Sequence, residues 1–518
     1  MRRVIVDKDL GDLTAERDKN LSLYFVEDTP AFKHSLDISD HKYILMGRTG
    51  SGKSAIIRQI IRMCNEKDGY TYSLIDHNKH DLDYIVEASK QEFESMPENI
   101  EYIIYKLSWH YTIIINMLRN KYKESPLQSF KAHSDVDKIV YDFLKQIDSP
   151  SIFSMTMADL FLSLIRLIKV KVTVGGSSNK MEVEAFNAQH QEGKTYSNIL
   201  VSTEKFVQNN LRDVIGGDKL YILIDDLDIG WNPNSEAQQR LMSALFSAIT
   251  VYLNEPNMKP LVALRTDIFR SLKVHQREKY QDLILKVEWT EELLRNFLTK
   301  RISTVYKNIE TSKVETEFFC GEIDGSNLID YMISYTLNRP RDLLDLCKIA
   351  IRQASAKEAE YISSAHIKDA LDDYSLNRVI ALEDEWKLLY QYLENFIKKI
   401  AQYSTHEQVS GGYSPSEFHK VLNDIRDYLS NLEEGKFDSE PVWFLEKFGQ
   451  SESNPQEIVS TLYDLGIIYL INEGKLSKQA SDATMPKITT TSTIKVHPMF
   501  SRYMEVMIHE EESPWLPN

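Results

Sequence analysis

Two hydrophobic patterns alternate along the chain. Short, nearly continuous apolar runs stand between polar or turn residues, and longer stretches repeat apolar residues every three to four positions. The runs at 43–46, 70–75, 220–224 and 261–264 read as strands, 220–224 as a central parallel strand buried on both faces and 261–264 as another buried strand. The helical period appears first at Ile56, Ile57, Ile60, Ile61 and Cys64, directly after the first run. It returns at 136–146 and 157–168, and a strand at 101–107 followed by a helix at 112–121 is a candidate for further core. Ser235-Glu236-Ala237-Gln238 has the spacing of a capping box, opening a helix to about 253. Residues 254–260 read as a turn.

From about 276 the period is helical: 291–302 with Trp289 before it, 327–337, a helix with Pro340 in its first turn, and 364–374. A long helix is expected at 382–403, and another from Ser414-Pro415. Asn454-Pro455 opens a helix at 456–465, which Gly466 stops, and strands at 467–471 and 494–497 flank a Lys/Ser/Thr-rich loop. Helix, helix and β-hairpin wing spell a winged helix. The organisation predicted is a lead-in at 1–42, of which 21–36 packs beside the central site, and an α/β core at 43–275 with a mostly helical insertion at about 77–215. A helical lid at 276–379 and a winged-helix-like domain at 380–518 complete it. A polar loop falls at 175–193.

Composition narrows the functions. Apolar residues make up 42%, as in folded globular chains, and the formal net charge of −16 excludes an electrostatic nucleic-acid binder as a whole molecule. The three cysteines, Cys64, Cys320 and Cys347, form no CxxC motif and fit buried thiols in a reducing compartment. No signal-peptide pattern and no apolar span of membrane length is visible, so a cytoplasmic chain with no membrane role is expected. The histidines show no zinc-ligand spacing.

The chemistry begins between the first apolar run and the first helix. Gly47, Arg48, Thr49, Gly50, Ser51, Gly52, Lys53 and Ser54 fit G-x-x-x-x-G-K-[ST], the phosphate-binding loop, in its required strand–loop–helix setting. Glycines let backbone N–H groups turn toward an anion, and the helix start adds its free N–H groups and positive dipole end. Lys53 reaches β- and γ-phosphates, and the Ser54 hydroxyl suits Mg²⁺. The run 220–224 ends in Asp225-Asp226, at the strand end where ligands of parallel sheets gather. Asp225 suits the metal, through a water, and Asp226 the orientation of an attacking water. Arg265 ends the run 261–264 and is a candidate γ-phosphate sensor, with pairing to Asp267 as the alternative. Arg339 and Arg341 stand at a helix start, where cations oppose the dipole, so an anionic partner is expected: a nucleotide, Asp342 or Asp345.

Two look-alikes carry less. Asn78-Lys79-His80-Asp81 fits a guanine-reading motif but precedes the acidic strand, so ATP is preferred over GTP. The segment 409–413 echoes an ABC signature out of order. In the winged helix, the helix that would read DNA carries Gln456, Glu457, Ser460 and Asp464 and no basic residue, which favours a structural or protein-contact role. Lys475, Lys478 and Lys487 of the wing are the charges available to nucleic acid.

Taken in order, GRTGSGKSA, LIDDLDIGW, ALRTDIF and NRPRDLLDLCKIA resemble bacterial P-loop ATPases of the additional-strand class, near the KAP and STAND NTPases and the origin-recognition ATPases. The resemblance implies ATP and Mg²⁺ as cofactors, with Lys53, Asp226, Arg265 and Arg341 as catalytic or sensing residues. Arg265 corresponds to the strand-four sensor arginine of STAND proteins and Arg341 to the sensor-two position of origin-recognition ATPases. It also implies an ATP-driven switch or motor, oligomeric and acting with a partner protein, in families frequent in anti-phage defence. The alternatives are a DNA-acting ATPase resembling origin-recognition loaders and a non-hydrolysing scaffold that ATP stabilises.

Overall fold

The computed structural model describes residues 5–76, 81–93, 98–122, 134–147, 152–167, 203–228, 230–273, 278–387, 389–432, 438–449, 455–477 and 485–508. The loop expected at 175–193, the motif residues Asn78, Lys79 and His80, Asn454 and Lys478 lie outside these. The chain divides into two compact units. One comprises Pro30–Arg48 and Lys53–Val287, the other Met1–Thr29, Thr49–Gly52 and Glu288–Asn518.

The first unit is a five-stranded parallel sheet flanked by helices. Its strands are β1 (Ile44–Met46), β2 (Tyr70–Asp76), β3 (Lys219–Asp225), β4 (Met258–Leu264) and β5 (Ile284–Lys286), in the order β2-β3-β4-β1-β5. One strand, β4, therefore separates the loop-bearing β1 from the acidic β3. Every residue of β1 and β4 is buried, as is β3 apart from Lys219, which accounts for the unbroken apolar runs. β4 begins at Met258, inside the stretch expected to be a turn. β5 was not legible. It spans three residues and exposes Lys286, too little for any period, yet it pairs in parallel with β1 from Ile44↔Ile284 to Met46↔Lys286.

The helices of this unit include α1 (Lys53–Glu66), α2 (Asp81–Phe93), α3 (Glu98–Tyr122), α4 (Asp135–Ile147), α5 (Met157–Leu167), α6 (Glu236–Leu253) and α7 (Thr266–Ser271), together with the helix Pro30–Leu36 and shorter turns. α1 buries Ile56, Ile57, Ile60 and Cys64, the face its period predicts. The expected strand at 101–107 is instead the first half of α3. Glu101, Ile104, Tyr105, Ser108 and Trp109 are buried while Ile103 is exposed, a helical spacing that the apolar run concealed. α3 covers the sheet at β2, where the Ser73 hydroxyl donates to the Ile113 carbonyl at 2.8 Å. α6 is capped by Ser235, whose hydroxyl accepts from the Gln238 N–H. Only that half of the box forms. The Gln238 amide turns instead to Asp83 and to the Gly230 carbonyl.

The second unit is mainly helical and incorporates the N-terminal segment. Its longer helices are α8 (Glu291–Val305), α9 (Leu328–Ser334), α10 (Pro340–Ala356), α11 (Ser364–Trp386), α12 (Leu393–Gln402), α13 (Pro415–Ser430), α14 (Val442–Gly449), α15 (Pro455–Leu465) and α16 (Pro498–Ile508), beside the short Leu21–Tyr24 and His406–Gly411. Residues 5–29 are more than a polar lead-in. Leu10 and Val26 join the core, the Ile5 N–H donates to the Ala359 carbonyl, and buried Arg301 donates to the Leu10 carbonyl and to Asp18.

Pro340 occupies the first turn of α10, as expected. The long helix expected at 382–403 is broken. α11 continues to Trp386, and α12 begins after Tyr392, which has left-handed backbone (φ 58°). The Glu383 carboxylate accepts from the N–H groups of Tyr392 and Glu394, satisfying the new helix start. Farther on, β6 (Ile468–Asn472), β7 (Lys475–Ser477) and β8 (Thr493–Val496) form an antiparallel sheet in the order β8-β6-β7. Gly466 (φ 80°) ends α15 just before it. Tyr413 forms an isolated antiparallel bridge with Ile494 ahead of α13. No helix among the described residues is long and apolar enough to cross a membrane.

Candidate functional site

In the sheet unit, the residues singled out from sequence gather at the carboxyl ends of β1, β3 and β4. Gly47 follows β1 and donates its N–H to the Leu264 carbonyl at the end of β4 (3.2 Å). Lys53 and Ser54 open α1, a helix of 14 residues. The Lys53 ammonium donates to the carbonyls of Gly47 (3.0 Å) and Arg48 (3.1 Å), so the cation closes on its own loop. Asp225 ends β3 and is 3% exposed. Its Oδ1 accepts from the Asp226 N–H at 3.0 Å. Asp226 has positive φ (57°), a conformation that costs a non-glycine residue about 1 kcal/mol or more and often marks a functional position.

Arg265 is the N-terminal flanking residue of α7. Its guanidinium makes a two-pronged pair with Asp267 (3.0 and 2.8 Å) and lies 3.6 Å from Asp228. The alternative weighed for this arginine, pairing with Asp267, is the arrangement present.

The remaining loop residues, Thr49–Gly52, group with the helical unit. Gly50 (φ 77°) and Gly52 (φ 101°) both need left-handed backbone, and a Cβ on Gly50 would stand 2.8 Å from the Cβ of Arg341. The Trp289 indole donates to the Ser51 carbonyl at 2.7 Å, and its ring passes 3.7 Å from where a Gly52 Cβ would be. Arg339 donates to the Thr49 carbonyl at 3.1 Å.

The two arginines at the start of α10 differ. Arg339 bonds Asp342 at 2.7 Å and lies 3.6 Å from Glu385. Burial alone would push its pKa down, but these carboxylates outweigh burial and raise it. Arg341 donates to the Leu13 carbonyl at 3.2 Å, and no carboxylate among the described residues lies within ion-pair distance. Burial, with the neighbouring Arg339 charge, lowers its pKa. A cavity of about 250 Å³ opens beside it, lined by Leu13, Thr14, Thr49, Arg378 and Phe500 among others. Arg341 is therefore the cation of this cluster with least local compensation, which suits an anion. Two contacts of the loop, Trp289 and Arg339, were visible in the sequence only as an aromatic before a helix and a charge opposing a dipole. Arg378 and its bond to Asp342 (3.0 Å) gave no signal.

The residues fit a nucleoside triphosphate with Mg²⁺. Left-handed Gly50 and Gly52 place no Cβ at two positions of the loop, an ammonium rests on carbonyls at the loop's base, and a buried carboxylate ends a strand of the sheet. The strand order and the loop define the fold of a P-loop NTPase.

Residues 292–383 match the FunZ-associated C-terminal helical domain. The chain is 25% identical over 390 residues to the putative transposon gamma-delta 80.3 kDa protein of Escherichia coli K12. That alignment covers 73% of this chain and 51% of the relative, so the match spans about half the relative's length. Among solved structures, the chain is similar to the Aeropyrum pernix ORC2 protein in ADPNP–ADP complexes (12% identity, TM-score 0.39, covering 90% of this chain and 87% of that one). It is also similar to Cdc6p from Pyrobaculum aerophilum (11%, 0.30, 91% and 88%) and to Drosophila ORC bound to DNA (12%, 0.28, 97% and 94%).

Proposed function

We propose that the chain is a Mg²⁺-dependent P-loop ATPase that works as a nucleotide-driven switch. The observation that carries this reading is the loop itself. Lys53 begins a 14-residue helix and rests on the Gly47 and Arg48 carbonyls, and the acidic pair Asp225-Asp226 ends a strand of the same sheet. The strand β4 between β1 and β3 supports the additional-strand class.

Bound Mg·ATP would supply the phosphoanhydride and the charge that neutralises it. The chain's residues do the rest. Lys53 exchanges its two carbonyl partners for β/γ oxygens, a stronger, charge-assisted pairing. Ser54 and Asp225 are the residues that would hold the metal. Asp226 accepts a proton of the water it orients. Arg341, beside Gly50, adds positive charge at the loop tip. An anion at Arg265 would compete with its two-pronged bond to Asp267 for the guanidinium charge, which makes that pair a candidate sensor. Phosphoryl transfer of this kind depends on positioning and charge.

The helical unit, the winged module, a second copy of the chain and a partner protein are where the switch would be read. An anti-phage setting rests on family resemblance alone. The side chains of Gln456 and Glu457 are exposed on α15, and acid facing phosphate argues for a protein partner over duplex DNA. The test is phosphate release by the full chain with Mg·ATP, with and without DNA, beside the Asp226→Asn variant. The reading predicts slow release in the wild type and a fall of at least about a hundredfold in the variant with ATP still bound. Loss of nucleotide affinity in Asp226→Asn would make that residue structural, and unchanged turnover would remove it from the mechanism.

A further inference from the structure

A phosphate-binding loop works through the direction of its N–H groups, and each N–H is tied to the carbonyl of the preceding residue. The peptide unit is planar, and the described chain contains no cis peptide, so the N–H points opposite the carbonyl. Holding a carbonyl therefore aims the next N–H. Two loop carbonyls are held by side chains of the unit to which Thr49–Gly52 belong. Arg339 Nη1 donates to the Thr49 carbonyl at 3.1 Å, which sets the Gly50 N–H. Trp289 Nε1 donates to the Ser51 carbonyl at 2.7 Å, which sets the Gly52 N–H. Both are glycine N–H groups, on residues whose backbone is otherwise the freest in the loop.

Each donor is itself fixed. The Trp289 ring meets Phe297 edge-on, with centroids 5.8 Å apart, and Arg301 lies over the other ring 4.7 Å from its centroid. Arg339 is 8% exposed and is gripped by Asp342, which also accepts from Arg378 on α11. The Arg378 guanidinium continues to Asp345 at 2.9 Å. A planar guanidinium can serve a carboxylate with one edge and a carbonyl with another, which an ammonium does less well.

We infer that Arg339 and Trp289 are positioning residues of the helical unit that aim the Gly50 and Gly52 N–H groups, and so set the anion-binding readiness of Thr49–Gly52, which belong to the same unit. The inference rests on the nucleotide-binding reading for its consequence, but not for its geometry. It gives the unit a means of regulation, since any partner that shifts Arg339 or Trp289 retunes the loop.

The test uses the full chain and two variants, Trp289→Phe, which keeps the ring and removes the N–H, and Arg339→Met, which leaves Asp342 paired with Arg378. Hydrogen exchange of the peptide covering residues 46–54 is measured without nucleotide, and affinities for ATP and ADP are measured directly. Faster exchange in this peptide in both variants is expected, with affinity for both nucleotides weakened about tenfold, KM rising more than kcat falls, and partial rescue by Arg339→Lys. Wild-type exchange at 46–54 in Trp289→Phe and Arg339→Met overturns the inference. If Arg339→Met fails to fold by circular dichroism, Trp289→Phe decides alone. If the wild type binds no nucleotide, the ATPase reading falls while the exchange comparison still decides the positioning role.

Discussion

Asp342→Asn perturbs a buried carboxylate of the helical unit that two arginines share. Asp342 is 1% exposed and accepts from Arg339 Nε at 2.7 Å and Arg378 Nη1 at 3.0 Å. Removing one member of a buried ion pair costs about 3–5 kcal/mol, because the remaining charge is left in a poor solvent. Here each arginine keeps a second carboxylate, Glu385 at 3.6 Å for Arg339 and Asp345 at 2.9 Å for Arg378, so the lower end, about 3 kcal/mol, is expected. At roughly 2–4 °C per kcal/mol for a unit of this size, the melting transition of that unit falls by roughly 6–12 °C.

The pH dependence has a definite sign. Burial pushes the Asp342 carboxyl up, but Arg339 and Arg378 outweigh it and hold it below its ordinary value of 3.8. A depressed carboxylate contributes stability that is present above its unfolded pKa and lost as pH falls through the folded value. The gap between wild type and Asp342→Asn should therefore stay constant from pH 7 to 5 and shrink only below about 4. Calorimetry of both proteins across that range is the assay. A gap under about 1 kcal/mol at pH 7, or one that widens on acidification, refutes the reasoning.

Other expectations follow from single contacts. His110, buried on α3 and bonded to the Tyr252 hydroxyl at 2.8 Å, has its pKa pushed down to about 3 by burial. The unfolded chain binds the extra proton below its ordinary 6.5, so wild type should lose stability relative to His110→Asn by about 1.4 kcal/mol per pH unit between 6.5 and 5; parallel acid-denaturation curves contradict this. Gly50→Ala sets a Cβ 2.8 Å from the Arg341 Cβ on backbone at φ 77°, so nucleotide affinity, read by titration calorimetry, should fall about tenfold or more. Wild-type affinity in that variant would mean the loop tip yields without cost.

The sequence displayed most of the sheet because burial on both faces writes a strand as an unbroken apolar run, as at 220–224. The same rule misled at 101–107, where a buried helix also reads as a run and only the exposure of Ile103 betrays the period. β5 is three residues long, and pairing with β1, not its own pattern, makes it a strand. At the site, the loop and the acidic pair were legible as local motifs. The conflict at Arg339 and Arg341 was legible as well, but its resolution was not, since the Thr49 carbonyl lies 290 positions from Arg339. Trp289 meets Ser51 across 238 positions. Such contacts leave no local signature.

The proposed ATP site depends above all on Lys53. Titration of the full chain and of Lys53→Ala with ATP in the presence and absence of Mg²⁺ tests it most directly. Mg²⁺-enhanced binding by the wild type is expected, with a loss of at least about a hundredfold in Lys53→Ala, its fold retained, and no phosphate release by the variant. Equal ATP affinity in the two proteins would contradict it.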